Sequence, residues 1–118
     1  MRLRHYPHGE TGEVRDYLRA LREDPRTMKA AVKIDVDLQT LEEFWPETFN
    51  VTVRGWRGWE PLLELKRRYD KFAYRIFLCI RGDELWLLSA YEKQSEAAPR
   101  RELEKAYRRM RLVLEGKL

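Results

Sequence analysis

Lys66, Arg68 and Arg75 are cationic side chains with the chemistry to hold a phosphate, and they fall on two neighbouring strand-like runs of this 118-residue sequence. The dipeptide Asp70-Lys71 separates the two runs. A two-residue loop at this point sets the register of the hairpin and places Lys66 directly opposite Arg75. Like charges that face each other across strands repel by a few tenths of a kcal/mol up to about 1 kcal/mol. The sequence therefore predicts a cationic cluster that needs a compensating negative charge.

The source of that negative charge stays open. The carboxylate of Glu64, on the same predicted strand as Lys66, could neutralise the cluster from within the protein. A bound phosphate could do so from outside, since the small residues Ala73 and Ala90 would leave room for it above the sheet. The residues alone favour neither explanation.

The second hairpin turns at Gly82-Asp83, and the same loop rule predicts that Arg75 lies opposite Ala90. Because side chains alternate between the faces of a sheet, Tyr91 then falls on the core-forming face, where packing is favoured over stacking on a base. The predicted members of that face are Leu63, Leu65, Tyr74, Ile76, Leu78, Leu85, Leu87 and Tyr91. The other face is predicted to hold the cationic cluster at one end. Its apolar half, for a C-terminal helix to cover, comprises Phe77, Cys79, Trp86 and Leu88.

The distribution of charge agrees with a basic surface in the second half of the chain. Residues 1–60 carry 10 Lys and Arg against 11 Asp and Glu, whereas residues 61–118 carry 14 against 9. A basic half is where a polyanion such as a nucleic acid would bind. A solvated basic surface would produce the same counts, so charge alone does not decide between the two.

Hydrophobic spacing predicts an antiparallel helical hairpin over about residues 12–45, ahead of the sheet. Residues 32–38 alternate as a strand would, but the apolar stripe that starts at Met28 keeps helical spacing for more than four turns, which favours a helix. Asp24 is predicted to cap the second helix, with Pro25 at its first position.

The remaining elements are predicted from shorter signals. Residues 2–6 could form a short strand, and residues 50–54 either a strand or an irregular connection. Trp56 and Trp59 are predicted to cover the core rather than stack on bases. A final helix is predicted to open at Pro99 and to close before Gly116.

Several kinds of chemistry are disfavoured. The sequence has no Cys/His or carboxylate cluster with metal-ligand spacing, so neither a metal nor another cofactor is expected. His5 and His8 are expected at the surface, and Cys79, the single cysteine, is expected to be a buried thiol. One domain over residues 1–118 is expected. Without a targeting segment or an apolar run long enough to span a bilayer, the expected location is the cytoplasm.

Four segments resemble, in order and spacing, the HigB-like, phage-derived branch of the RelE/ParE toxins. They are Leu63–Lys66 (LELK), Tyr74–Phe77 (YRIF), Leu88–Gln94 (LSAYEKQ) and Pro99–Ala106 (PRRELEKA). That branch typically shows a W-E-L-R/K strand, a Y-R-I/V-F/L strand, then L-L-H-G/A-F-x-K-K-x-x-x-T-P leading into a helix that begins R-E-I. The resemblance covers roughly residues 61–115.

The resemblance implies an α+β fold of the RelE-like type, with an N-terminal helical hairpin packed on a curved antiparallel β-sheet and a C-terminal helix. It implies the toxin of a type II toxin–antitoxin pair, a ribosome-dependent mRNA endonuclease, with a helix-turn-helix antitoxin as its partner. The same resemblance leaves two alternatives: a ParE-like DNA gyrase inhibitor, and a decayed toxin that only binds its antitoxin.

Carried over by position, the resemblance implies catalytic roles for Lys66, Arg75 and Lys93. The candidate RNA-binding residues are Arg68, Tyr91, Arg100 and Arg101. The chain departs from the branch at Gln94, where a second lysine is typical, and at Ala98, where a threonine would cap the last helix.

Cleavage of RNA by its own 2′-hydroxyl needs a base, a group that stabilises the phosphorane charge and an acid for the leaving 5′-oxygen. With metal and histidine disfavoured, lysine and arginine remain. Crowding by Arg68 and Arg75 should lower the pKa of Lys66 enough for it to act as base. Arg75 would hold the scissile phosphate, while Arg68 or Lys93 would protonate the leaving group or grip the backbone. Such a metal-independent reaction leaves 2′,3′-cyclic phosphate ends.

Overall fold

The computed structural model describes residues 1–93 and 99–118, and these form an α+β fold of three helices packed on a five-stranded sheet. The elements in chain order are β1 (Arg2–His5), α1 (Glu13–Glu23), α2 (Met28–Phe44), β2 (Val53–Gly55), β3 (Leu63–Tyr69), β4 (Phe72–Arg81), β5 (Glu84–Lys93) and α3 (Arg100–Leu114). The N-terminal helical hairpin and the C-terminal helix are therefore confirmed. None of these helices is long and apolar enough to cross a membrane.

The sheet has the strand order β1-β5-β4-β3-β2 and is antiparallel, as expected, except at one edge. The short strand β1 runs parallel to β5, while the other three pairings are antiparallel. Helices α1 and α2 lie in the chain between β1, at one edge of the sheet, and β2, at the other edge.

The chain itself occupies both edges of this sheet. At β1, the Leu3 amide donates to Oε2 of Glu42 at 3.4 Å, and His5 exchanges two backbone hydrogen bonds with Gly9. At β2, the Val53 amide donates to the Thr48 carbonyl, and the Val53 carbonyl accepts from the amide of Asn50. Local turns thus satisfy backbone groups that an edge strand would otherwise expose.

Residues 32–38 are helical, as the longer stripe predicted. Ile34 and Leu38 are buried, whereas Val32 and Val36 are more than half exposed. A strand would have placed all four on one face. The core between the helical hairpin and the sheet is built from Val14, Leu18, Leu21, Ala30, Ala31, Ile34, Leu38, Leu41, Val53, Leu63, Leu65, Tyr74, Ile76, Leu78, Leu85 and Leu87.

The helical hairpin turns differently from the prediction, since α2 begins at Met28 with Thr27 as its N-cap. The Asp24 carboxylate accepts from the Arg26 amide at 2.9 Å, and the Asp24 carbonyl accepts from the amides of Thr27 and Met28. Asp24 therefore closes a turn around Pro25 instead of capping a helix that starts there.

Helix α3 covers the apolar half of the other sheet face, as predicted. The buried members of this second core are Leu62, Phe77, Cys79, Trp86, Leu88, Leu103, Ala106, Met110 and Val113. Trp56 and Trp59 pack against it at the rim, which confirms their predicted covering role. Gly116, at φ 69°, ends α3 with its amide bonded to the Val113 carbonyl.

Truncating Ile34 and Val36 to alanine should have very different effects on stability. Because Ile34 is fully buried, I34A should lower the free energy of unfolding by about 2–5 kcal/mol. V36A removes exposed methyl groups and should cost less than about 0.5 kcal/mol. Urea unfolding of both variants in dilute solution checks this. Equal losses would contradict a helical α2.

Candidate basic cleft

The first hairpin places Lys66 opposite Arg75, and the predicted register is confirmed. The same pairing sets Glu64 opposite Phe77 and Arg68 opposite Ala73. Asp70 takes a left-handed conformation, φ 57°, in the two-residue loop. Loop length alone therefore brings the two cations onto one face of the sheet.

The second hairpin departs from prediction because β5 contains a bulge. Near its turn the register is as predicted, with Leu78 opposite Leu87, but Phe77 then pairs with Ser89, so that Leu88 is an extra residue. Beyond the bulge, Arg75 lies opposite Tyr91 instead of Ala90. A bulge reverses the faces of the residues that follow it. The predicted positions of Ala90 and Tyr91 are therefore exchanged.

Arg75 is buried and paired with Glu64. Its Nη1 donates to Oε1 and Oε2 of Glu64 at 3.1 and 3.0 Å, and Arg75 is only 2% exposed. The carboxylate that the sequence offered as one of two explanations is thus the group that meets the guanidinium. The guanidinium of Arg75 is too buried to contact a phosphate at the surface. The expectation that Arg75 holds the scissile phosphate directly is therefore wrong.

Lys66 and Arg68 are exposed, and Arg54 of β2 joins them. Pairing between β2 and β3 places Arg54 opposite Glu64, so all these side chains share a face. They line an open cleft of about 410 Å³, which we call the basic cleft; its walls are Val51, Thr52, Arg54, Glu64, Lys66 and Arg68. Arg54 was missed from sequence because the long connection to β3 leaves its register undetermined.

The pKa of Lys66 is lowered from the ordinary lysine value, which confirms the predicted direction. Partial burial of its ammonium is the largest cause, followed by the positive charges of Arg75 and Arg68; Glu64 opposes them, and Arg54 adds a smaller lowering. Crowding by cations was predictable from register, whereas the contribution of burial was not. A lysine with a lowered pKa exchanges protons more readily near neutral pH.

Tyr91 lies beside Arg75 but is engaged in packing. Its ring stacks on Phe77, with centroids 6.0 Å apart and planes 26° from parallel. Burial raises the pKa of its hydroxyl to about 12, although the positive charge of Arg75 acts in the opposite direction. The preference for packing over base stacking is confirmed for Tyr91. Tyr91 packs, however, on the sheet face that α3 covers and not on the face that the helical hairpin covers.

Of the other predicted site residues, Lys93 lies on the face that carries the basic cleft, whereas Arg100 and Arg101 belong to α3. Lys93 pairs with Ala73, which also pairs with Arg68, so these two cations share one end of the face that carries the basic cleft. Arg100 is instead bound to Glu104 at 2.8 Å and lies over the ring of Trp59. Arg101 is exposed in the first turn of α3. Gln94 and Ala98, where the chain departs from the HigB-like pattern, lie outside the described residues.

The residues expected to be inert are mostly so. Cys79 is fully buried, and burial raises its pKa to about 12. His8 is exposed, but His5 is half-buried in β1, where burial and the charge of Arg15 lower its pKa; the surface prediction for His5 is wrong. Within residues 1–93 and 99–118, no group of three or more His, Cys, Asp or Glu side chains could hold a metal ion.

A family model described as phage derived protein Gp49-like (DUF891) matches residues 16–111. The matched span starts in α1 and ends in α3, so it includes the helical hairpin, the basic cleft and the helix that covers the second core. Neither the curated proteins nor the solved structures contain a match to this chain.

Removing the Glu64 carboxylate should destabilise the fold strongly. E64Q leaves the buried charge of Arg75 without its ionic partner, which should lower the free energy of unfolding by about 3–5 kcal/mol. The matched control E23Q, at an exposed carboxylate of α1, should cost less than about 0.5 kcal/mol. Chemical denaturation measures both, and equal stabilities would contradict the importance of the pair.

Proposed function

The chain belongs to the Gp49-like family of phage-derived proteins, a RelE-like toxin family, and from this premise we propose that it is a metal-independent endoribonuclease, the toxin of a type II toxin–antitoxin pair, acting on mRNA at the ribosome. One observation carries the proposal: an exposed lysine with a lowered pKa, Lys66, stands in a basic cleft above a buried Glu64–Arg75 ion pair. Phosphate chemistry requires this combination of a proton acceptor and fixed positive charge.

In the proposed reaction, neutral Lys66 takes the proton from a ribose 2′-hydroxyl. The 2′-oxygen forms a bond to the adjacent phosphorus, and the bond from phosphorus to the 5′-oxygen breaks. Lys93, which lies at the same end of the sheet face as Arg68, protonates the leaving 5′-oxygen. The products are a 2′,3′-cyclic phosphate and a 5′-hydroxyl, with no change in oxidation state.

Arg68 and Arg54 are the groups we assign to the negative charge of the phosphorane. Both guanidiniums line the basic cleft with Lys66, and a guanidinium can bind two phosphate oxygens at once. Arg75 acts as a positioning residue instead, because its buried charge affects the pKa of Lys66 without meeting the substrate.

The proposal assigns the chain to the HigB-like branch, on the four segments that resemble it, with a helix-turn-helix antitoxin as the neutralising partner. Arg101, exposed in the first turn of α3, is the α3 residue best placed to add backbone contacts to RNA. Arg100 is less available, since Glu104 and the ring of Trp59 hold it. The ring of Tyr91 is occupied by Phe77 and is assigned to support of the cleft floor.

Substitution of Lys66 tests the role of the base. K66A should reduce cleavage of ribosome-bound mRNA by about 100-fold or more. K66R should do the same while keeping RNA binding, because arginine retains the charge but does not accept a proton at neutral pH. K71A, which removes an exposed lysine from the neighbouring loop, is the control and should retain activity.

Primer extension on mRNA after induction of each variant, alone and with the neighbouring reading frame, measures the outcome. Cuts by wild type and K71A, absent in K66A and K66R, are the expected result. Wild-type cleavage by K66A would remove Lys66 from the mechanism. Growth arrest with DNA damage and uncut mRNA would favour a gyrase inhibitor, and no arrest at all a decayed toxin.

The pH dependence of single-turnover cleavage should follow the lowered pKa of Lys66. A general base works only when deprotonated, so the rate should rise with pH and level off below the ordinary lysine value of 10.5. The charge of Arg68 helps to lower this pKa, and R68Q should therefore move the rising limb to higher pH. A profile that does not move would show that Arg68 acts on RNA binding alone.

A further inference from the structure

A cavity of about 450 Å³ lies between α1, the turn that leads into α2 and the end of the β3–β4 hairpin. Tyr74 in its wall belongs to the core under the helical hairpin. Because neighbouring side chains of a strand point to opposite faces, Tyr74 and Arg75 place this cavity and the basic cleft on different faces of the sheet. The cavity has the volume of pockets that hold small organic molecules.

Four aromatic rings line this space, which we call the aromatic cavity: Tyr17, Tyr69, Phe72 and Tyr74. The centroids of Phe72 and Tyr74 are 6.4 Å apart, with the ring planes tilted by 51°. The face of an aromatic ring attracts a cation, and more strongly where water is excluded. One ring already does so within the protein, since the ammonium of Lys33 lies 5.9 Å from the centroid of Tyr69. The walls therefore suit a cation with a flat or apolar body.

The walls also carry an excess of negative charge. Asp24, Asp70 and Glu92 contribute three carboxylates, and Arg26 contributes one guanidinium. Arg26 donates to Asp24 at 3.1 and 3.3 Å from a side chain that is 90% exposed, while Glu92 accepts from the hydroxyl of Tyr17. In the part of the chain that the structure describes, neither Asp70 nor Glu92 forms an ion pair. This local excess of negative charge occurs in a protein whose net charge is +4.

The hydroxyl of Tyr74 is a second, independent indication of a ligand. Tyr74 is 4% exposed, yet its hydroxyl forms no hydrogen bond with any residue that the structure describes. Burial, followed by the negative charges of Asp70 and Asp24, raises the pKa of Tyr74. A buried hydroxyl without a partner costs free energy, which a bound hydrogen-bond donor recovers. The missing group is therefore a donor that carries positive charge.

We propose that the aromatic cavity binds an organic guanidinium, which lies against the aromatic rings and donates to Asp70, Glu92 and the hydroxyl of Tyr74. A guanidinium fits better than an ammonium because it is flat, weakly hydrated and rich in N–H donors that can reach several acceptors together. Either a free small molecule or an arginine side chain of a peptide supplies this group. The inference does not depend on the proposed function, which assigns no role to these residues.

Calorimetric titration of the full-length chain tests the ligand class. The probes are agmatine, a free guanidinium, and the capped tripeptide glycyl-arginyl-glycine. The control is the same tripeptide with citrulline, whose neutral urea group has nearly the same shape as a guanidinium. Agmatine should bind at one site with a dissociation constant of about 1 mM or below, and the citrulline peptide at least about tenfold more weakly than the arginine peptide.

The two probes also separate the sources of the guanidinium. Binding of agmatine without the arginine peptide supports a free small molecule, whereas binding of the peptide supports an arginine side chain. If neither probe binds, or if the citrulline peptide binds as tightly as the arginine peptide, the proposal is overturned.

Substitutions in the walls test the location. D70N removes a charge and should weaken agmatine binding by about tenfold, while asparagine tolerates the left-handed backbone of Asp70, φ 57°. A20L should abolish binding, because Ala20 is an exposed residue of α1 in the cavity wall and leucine fills the space without disturbing the helix. D83N, at an exposed aspartate of the other hairpin loop, is the control and should bind as wild type does.

Y74F removes only the hydroxyl and should weaken agmatine binding by about fivefold. Circular dichroism checks that each variant keeps its fold. Wild-type affinity in both D70N and A20L would show that agmatine binds elsewhere, and would overturn the assignment to the aromatic cavity.

Discussion

The ion pair between Glu64 and Arg75 lies at the point where the apolar half of the sheet meets the basic cleft. A buried guanidinium without a carboxylate would be unstable, and a buried carboxylate without a guanidinium equally so. Together they allow positive charge to remain inside the protein, 2% exposed, directly across from an exposed lysine. Partial burial is the largest cause of the lowered pKa of Lys66, and the ion pair adds two opposing effects, since Arg75 lowers that pKa and Glu64 raises it.

The two faces of the sheet give this ion pair its surroundings. The helical hairpin covers one face along its length, whereas α3 covers only part of the other. At the end of the sheet face that α3 covers, the rings of Phe77 and Tyr91 stack on each other. They separate the apolar core under α3 from Arg75, which lies opposite Tyr91. The bulge in β5 is what brings Tyr91 to this boundary. A regular strand would have put Ala90 there and left the guanidinium more open to water.

Features set by short-range rules were predictable from the sequence, and features set by packing were not. Lys66 faces Arg75 because a two-residue loop leaves one register available. Arg75 does not face Ala90, because Leu88 is an extra residue in β5 that shifts the register. No pattern in the sequence indicates this bulge. Arg54 was missed since its strand is joined to β3 by a connection too long to set a register. Likewise, Asp24 has the chemistry of a helix cap but serves a turn, because Thr27 begins α2.

The occupied edges of the sheet restrict how any other molecule can approach this protein. An incoming strand needs a row of available amides and carbonyls. The chain has already used the Leu3 amide and both backbone groups of His5 and Val53. Recognition by backbone pairing is therefore disfavoured, and partners must be distinguished by side chains. Point substitutions in the basic cleft can therefore change what this surface binds, while the sheet that carries them stays the same.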